Sequence, residues 1–206
     1  NAGPLAAQLS LNDLGTLDLA GASLGIADLS GTQGIITGGG TLSLLGTQST
    51  TYSGVIGDGA TATRLVKKSG NTLTLSAQTP GSVMSGNNTF TGSVTVNTGT
   101  LAVTHDNGLG TSDGGVTIAS GAALDLQNVS VGAEAITLNG GSLKTSTGTS
   151  SLSGAVNLTG ASSVAGAGAI TLSGVITSDG NGLAMLGAGA KTLSNTSNTL
   201  NTARSL

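Results

Sequence analysis

Val116 and Ile118 recur as Ile136 and Leu138, and again as Val156 and Leu158, each step being twenty residues. Val94 and Val96 stand twenty-two residues before the first of these pairs. A second apolar file runs beside them through Leu101, Leu124, Leu143 and Val164, at steps of twenty-three, nineteen and twenty-one. Each pair has the apolar–polar–apolar form of a short strand with one buried face. The same form recurs along the chain, for example at Leu9–Leu11, Leu17–Leu19, Leu42–Leu44, Leu73–Leu75, Leu124–Leu126 and Ile170–Leu172. Two files on one period mean that every coil sends inward residues from at least two strands. The pattern predicts an all-β fold, a single-stranded parallel β-helix (β-solenoid) of roughly 20–23 residues per coil. At a rung spacing of about 4.8 Å, nine or ten rungs would make a rod about 40–50 Å long.

The composition fits that geometry. Gly, Thr, Ser and Asn fill 107 of the 206 positions, and Tyr52 and Phe90 are the only large aromatics. Stacked Leu, Val and Ile can close a narrow core without rings. Thr and Ser hydroxyls can pair along outward columns. Gly and Asn suit corners that need positive φ. The frequency of these small residues leaves no window favourable to helix. The 49 Leu, Val, Ile and Phe residues exceed what a disordered chain carries.

Several function classes drop out. Six scattered bases and a net charge of −3 cannot form a cationic stripe for nucleic acid. Two aromatics cannot build a stacking platform for bases or sugars. With no Cys and a single His, a thiolate or multi-His metal site cannot form within the chain. No apolar run is long enough for a transmembrane helix, so no membrane insertion of this segment is expected. The opening Asn1-Ala2-Gly3-Pro4 reads as a processed start or an excised fragment.

A longer unit begins twice. Ser53-Gly54-Val55-Ile56 reappears as Ser173-Gly174-Val175-Ile176, and Leu65 through Thr74-Leu75-Ser76 reappears as Leu183 through Thr192-Leu193-Ser194. Asn88-Thr89-Phe90 likewise matches Asn198-Thr199-Leu200. The first copy carries eight extra residues, Ala77–Met84. The run from Ser53 to Leu101, with SGVI at 53–56, LVKKSGNTLTLS at 65–76, NNTFTG at 87–92 and VTVNTGTL at 94–101, resembles the passenger-associated transport repeat of bacterial autotransporters (the autotransporter-associated β-strand repeat). In the second copy Met185 stands at the Lys67 position and Leu200 at the aromatic one. The expected organisation is one β-helical domain over 1–206. It comprises N-terminal coils (1–52), the passenger-associated repeat (53–101), generic coils (102–172) and a degenerate, truncated second repeat (173–206). The resemblance implies a right-handed β-helix, secreted and displayed on the outer surface of a Gram-negative cell, where the repeat serves secretion and folding. A C-terminal membrane barrel, which normally follows a passenger, is not visible after Leu200.

Candidate chemistry is sparse. His105, Asp106 and Asp113 are the one place where a base and carboxylates lie close in sequence, and Asn107-Gly108 marks it as a corner loop. Asp125 and Glu134 read as isolated acids, and Asp13, Asp18 and Asp28 as acids of early coils with no base nearby. Gly187-Ala188-Gly189-Ala190-Lys191-Thr192 superficially follows a phosphate loop but lacks its glycines and its helix, and reads better as a turn and strand of the second repeat. Gly57-Asp58-Gly59 has no helix after it either. Asp113-Gly114-Gly115 and Asp179-Gly180-Asn181-Gly182 are single occurrences, without the tandem aspartates of a calcium ladder. The pairs Thr61/Thr63, Thr72/Thr74, Thr89/Thr91 and Thr98/Thr100 step by eleven, seventeen and nine residues, which no single ice-matching array allows. Asn87, Asn128, Asn157 and Asn195 open glycosylation-type sequons, as expected by chance in so Asn- and Thr-rich a chain.

The expectation is therefore a non-enzymatic extracellular stalk, with no catalytic, cofactor or metal residues, that mediates display, adhesion to a host or neighbouring cell, or self-association. The alternative is a subunit of an open, head-to-tail biofilm filament. Two further readings, a polysaccharide-active β-helix enzyme and an ice-binding solenoid, lack the clustered acids and the regular Thr array they need.

Overall fold

The computed structural model describes residues 7–76 and 87–200; the Ala77–Met84 insertion lies outside them. The chain is all-β, with parallel strands stacked in about eight turns of roughly 21 residues. At about 4.8 Å per rung the described rod is about 40 Å long. One face of the rod stacks nine strands, within the expected nine or ten rungs.

The turns have three faces. The first face runs from Leu9–Ser10 through Thr50–Tyr52, Thr72–Leu75, Thr100–Val103 and Ala123–Leu126 to Leu183–Met185. A bridge from Gly31 to Tyr52 joins its first two strands to the seven that follow. The third face is one continuous eight-stranded sheet from Ser23–Ile26 to Ile176–Thr177. The second face is broken. Three strands ending at Val55–Ile56 and four beginning at Ser130–Val131 flank residues 87–91 and 107–112, which stack without forming strands. There Thr89 N–H donates to the Ile56 carbonyl (2.9 Å) and Thr111 N–H to that of Phe90 (3.0 Å).

The apolar files are the core. On the third face Val94, Val116, Ile136 and Val156 pair in register, as do Val96, Ile118, Leu138 and Leu158. On the first face Leu101, Leu124, Leu143 and Val164 do the same. All are essentially inaccessible to water. Burial of one such side chain is worth about 1.5–3 kcal/mol, so the stack holds itself together one turn upon the next. Tyr52 and Phe90 are both buried in it. Outward hydroxyls pair between turns, as Ser130 with Ser151 (2.9 Å) and Ser163 with Ser142 (3.1 Å). At the corner after the first face Asn128 takes positive φ (56°), packed against Gly148, also positive (71°), in the next turn.

The two copies of the long repeat do not lie on the same side of the rod. Val55–Ile56 is on the second face, whereas Ile176–Thr177 is on the third. Leu65 and Leu183 fall on the third and first faces, and Leu75 and Leu193 on the first and second. Counting strand positions, the copies are separated by five complete turns and one further face. Two of their hydrogen bonds are nevertheless the same. Asn88 Oδ1 accepts the Ile56 N–H at 2.8 Å, and Asn198 Oδ1 accepts the Ile176 N–H at 2.8 Å. Thr199 N–H donates to the Ile176 carbonyl (2.9 Å), as Thr89 does to Ile56.

Candidate functional site

The break in the second face opens a polar cleft of about 480 Å³, lined among others by Asn87, Asn88, Asp106, Asn107, Thr111 and Glu134. Glu134 is 4% exposed, so it is not the isolated surface acid that sequence spacing suggested. Burial pushes its carboxyl up to about 7; a bond from the Gly115 N–H pulls the other way, and the charge of Asp113 adds to the rise. Sequence reasoning missed this because Asp113 and Glu134 are a full turn apart and meet only when rungs stack.

His105, Asp106 and Asp113 do not converge on one another. His105 Nδ1 accepts the Asn107 N–H (3.1 Å), Asp106 accepts the Ser130 N–H (2.7 Å), and Asp113 accepts the Thr111 hydroxyl (3.0 Å). Each closes a local turn or links neighbouring turns. Among the described residues no three His, Cys, Asp or Glu side chains are grouped to hold a metal ion. Asp58, in the Gly57-Asp58-Gly59 segment, accepts the Thr63 N–H (2.7 Å) and both the N–H and hydroxyl of Thr91 (3.0 and 2.7 Å). Against the rise that burial imposes, these donors hold its carboxyl below the usual range. Asp125 is also buried and links to Ser146 N–H (2.9 Å) and Gln127 Nε2 (3.0 Å).

A second polar group sits inside the core. Lys67 is only 1% exposed and occupies an inward position, paired with Leu44 below and Val96 above. Its ammonium donates to the carbonyl of Ser69 (2.5 Å), to Asn71 Oδ1 (2.7 Å) and to the carbonyl of Thr98 (3.5 Å). Burial pulls its pKa down to about 8, partly opposed by the charge of Asp28. Asp28, read from the sequence as lacking a basic neighbour, is itself 6% exposed and is joined to Lys67 through the Asn71 amide. The two are 39 residues apart in the chain, and only the stacking of turns brings them together.

The second repeat rebuilds the cation from another position. Met185 occupies the Lys67 place, and Lys191 donates instead to the carbonyls of Gly166 (2.6 Å), Gly187 (3.4 Å) and Gly189 (2.7 Å). Gly187 and Gly189 correspond to Ser69 and Asn71, so an ammonium again ties this turn. The resemblance of 187–192 to a phosphate loop ends there: Lys191–Leu193 is a strand. The Thr pairs are spread over several faces: Thr63 begins a third-face strand, Thr72–Leu75 lies on the first face, and Thr89 on the second. A groove of about 640 Å³ at the corner between the third and first faces is lined by Gly, Ala, Ser and Leu alone, with no titratable group.

Comparison with protein-family models, with curated proteins and with solved structures finds no match.

Proposed function

We propose that the chain is a non-enzymatic stalk, a passenger segment of an autotransporter-like protein on the outside of a Gram-negative cell, where it displays or adheres. The β-solenoid is the scaffold for that role. The observation that carries the reading is the repeat itself. Its two copies keep the bond from the Asn side chain to the Ile N–H and the Thr-to-Ile backbone bond while facing different sides of the rod. A motif that built a binding site would be held to one side; a motif that propagates the coil need not be. Its most distinctive residues, Lys67, Asn88 and Ile56, are buried, so they stabilise rungs and leave ligands untouched. The test is display. Fused ahead of an outer-membrane barrel, the chain is expected to reach the cell surface, where external protease removes it and adhesion or clumping rises. Retention in the periplasm, or surface display without any change in adhesion or clumping, refutes the reading.

A second reading rests on the last described turn. There Met185 and Leu186 are 42% and 51% exposed, and among the described residues Leu183–Met185 and Lys191–Leu193 are the last strands of their sheets. Such edges accept another strand, and a second copy docking head to tail would give an open filament. Electron micrographs showing only dispersed rods at high concentration eliminate it.

A further inference from the structure

Lys67 is a cation in an aliphatic column, and beside the Ser69 carbonyl its nitrogen meets a primary amide. Nζ lies 2.7 Å from Asn71 Oδ1, which also accepts the Ser69 hydroxyl at 2.7 Å. On the far side of that amide, Asn71 Nδ2 donates to Asp28 Oδ1 (3.2 Å) and to the Gln48 carbonyl. Amine, amide and carboxylate thus stand in a row, with Lys67 and Asp28 more than nine-tenths buried. The void beside them is about 10 Å³. A water needs about 10–15 Å³, so the void holds one water at most.

We propose that Lys67 and Asn71 join in an intramolecular isopeptide bond, with Asp28 carrying the proton. The neutral amine attacks Asn71 Cγ; the new C–N bond forms and the carbonyl pair moves onto Oδ1, where the Ser69 hydroxyl meets the charge. In the tetrahedral adduct both nitrogens sit on Cγ, so a carboxylate beside one is close to the other. Asp28 accepts the proton from Nζ and passes it to Nδ2. The Cγ–Nδ2 bond breaks, ammonia leaves and Asp28 is again a carboxylate. One amine and one primary amide become one secondary amide and ammonia, with no oxidant, metal or cofactor. Burial, which brings the amine down to about 8, supplies the neutral form in mildly alkaline solution. Deprotonation removes one of the hydrogens now donated to carbonyl oxygens and leaves a lone pair in its place. Lys191 is the internal contrast: its partners are backbone carbonyls, with no amide side chain to attack. The bond would staple the corner between Thr63–Lys67 and Thr72–Leu75, and it stands on this geometry independently of the stalk reading.

Intact-mass measurement on the full chain, held folded near pH 8.5 for several days, tests it. The expected result is a loss of about 17 Da, one ammonia, with fragmentation placing the link between Lys67 and Asn71. Lys67→Met and Asn71→Ala should keep their full sequence masses. Asp28→Asn, close in shape to the parent and verified as folded by circular dichroism, should form the link at least tenfold more slowly. The proposal is overturned by a parent at its full sequence mass, or by a gain of 1 Da from simple deamidation. It is equally overturned if the loss maps to a cyclic imide at Asn107-Gly108, Asn139-Gly140 or Asn181-Gly182. Undiminished linking in folded Asp28→Asn removes Asp28 from the mechanism.

Discussion

Glu134 shows what one buried acid does to stability. Its folded pKa of about 7 lies above the ordinary 4.5, so between those values the folded chain holds a proton that the unfolded chain has released. Its contribution is therefore present in full below about 4.5 and is lost as pH rises through 7. The parent is expected to melt higher at pH 5 than at pH 8. Glu134→Gln should flatten that part of the profile and exceed the parent at pH 8 by roughly 2 kcal/mol. Thermal melts at both values decide it, and a Gln variant that follows the parent at every pH refutes it. Asn88 makes a different prediction. Its side chain accepts the Ile56 N–H and donates to the Gly108 carbonyl (2.8 Å each), in the buried wall of the cleft. Asn88→Ala strands both groups and should cost about 2–4 kcal/mol in urea unfolding. Asn198→Ala breaks the equivalent bond at a half-buried site and should cost about half as much. Equal losses would show that burial is not what sets the value.

At the scale of the element, the corners limit the spacing of the turns. Gly154 follows the second-face strand Thr149–Leu152 and lies directly over the Glu134 carbonyl, where an added Cβ would collide with backbone. Gly174 takes the same position over Gly154 one turn later. Gly132 faces open space. Gly154→Ala is therefore expected to destabilise by about 1–3 kcal/mol, as overpacking does, whereas Gly132→Ala should stay within about 0.5 kcal/mol of the parent. Urea denaturation of the pair checks this, and a neutral Gly154→Ala would mean that the corner relaxes freely. The interrupted second face is the other element-scale feature. Where regular strands give way at 87–91 and 107–112, side-chain amides and Asp58 take over the linking of turns. The polar cleft follows from that loss of pairing.

For the whole molecule, each turn touches mainly its two neighbours, so stability is close to a sum of turns and interfaces. A chain ending after Gly160 should therefore keep a β-type circular dichroism spectrum and unfold at moderately lower urea, losing turns without losing the fold. Collapse to a random-coil spectrum would show that the last two turns nucleate or cap the rest. The same additivity lets a repeat reappear at any side of the rod. A separation of 118–120 residues does not divide evenly by turns of roughly 21 residues. The second copy therefore arrives one face further round, with its Asn-to-Ile bond intact.

The sequence alone determined the class of fold and most of its core. A side chain stacked on its equivalent every turn must match it in size and polarity, so the period is written in the residues: Val116, Ile136 and Val156 pair as their spacing required. The second-face strands were harder to read, because pieces such as Val55–Ile56 and Ser130–Val131 are only two residues long and carry little alternation. The alignment of Asn88 with Asn198 was visible; its meaning as a buried bond to an N–H was not. What only the tertiary structure decided is which distant residues the stacking of turns brings together. Glu134 with Asp113, Lys67 with Asp28, and the face on which each repeat lies all depend on the residue count per turn and on the corners. Corners absorb steps of nineteen to twenty-three residues without breaking the register, so local sequence holds no record of which face a later segment reaches.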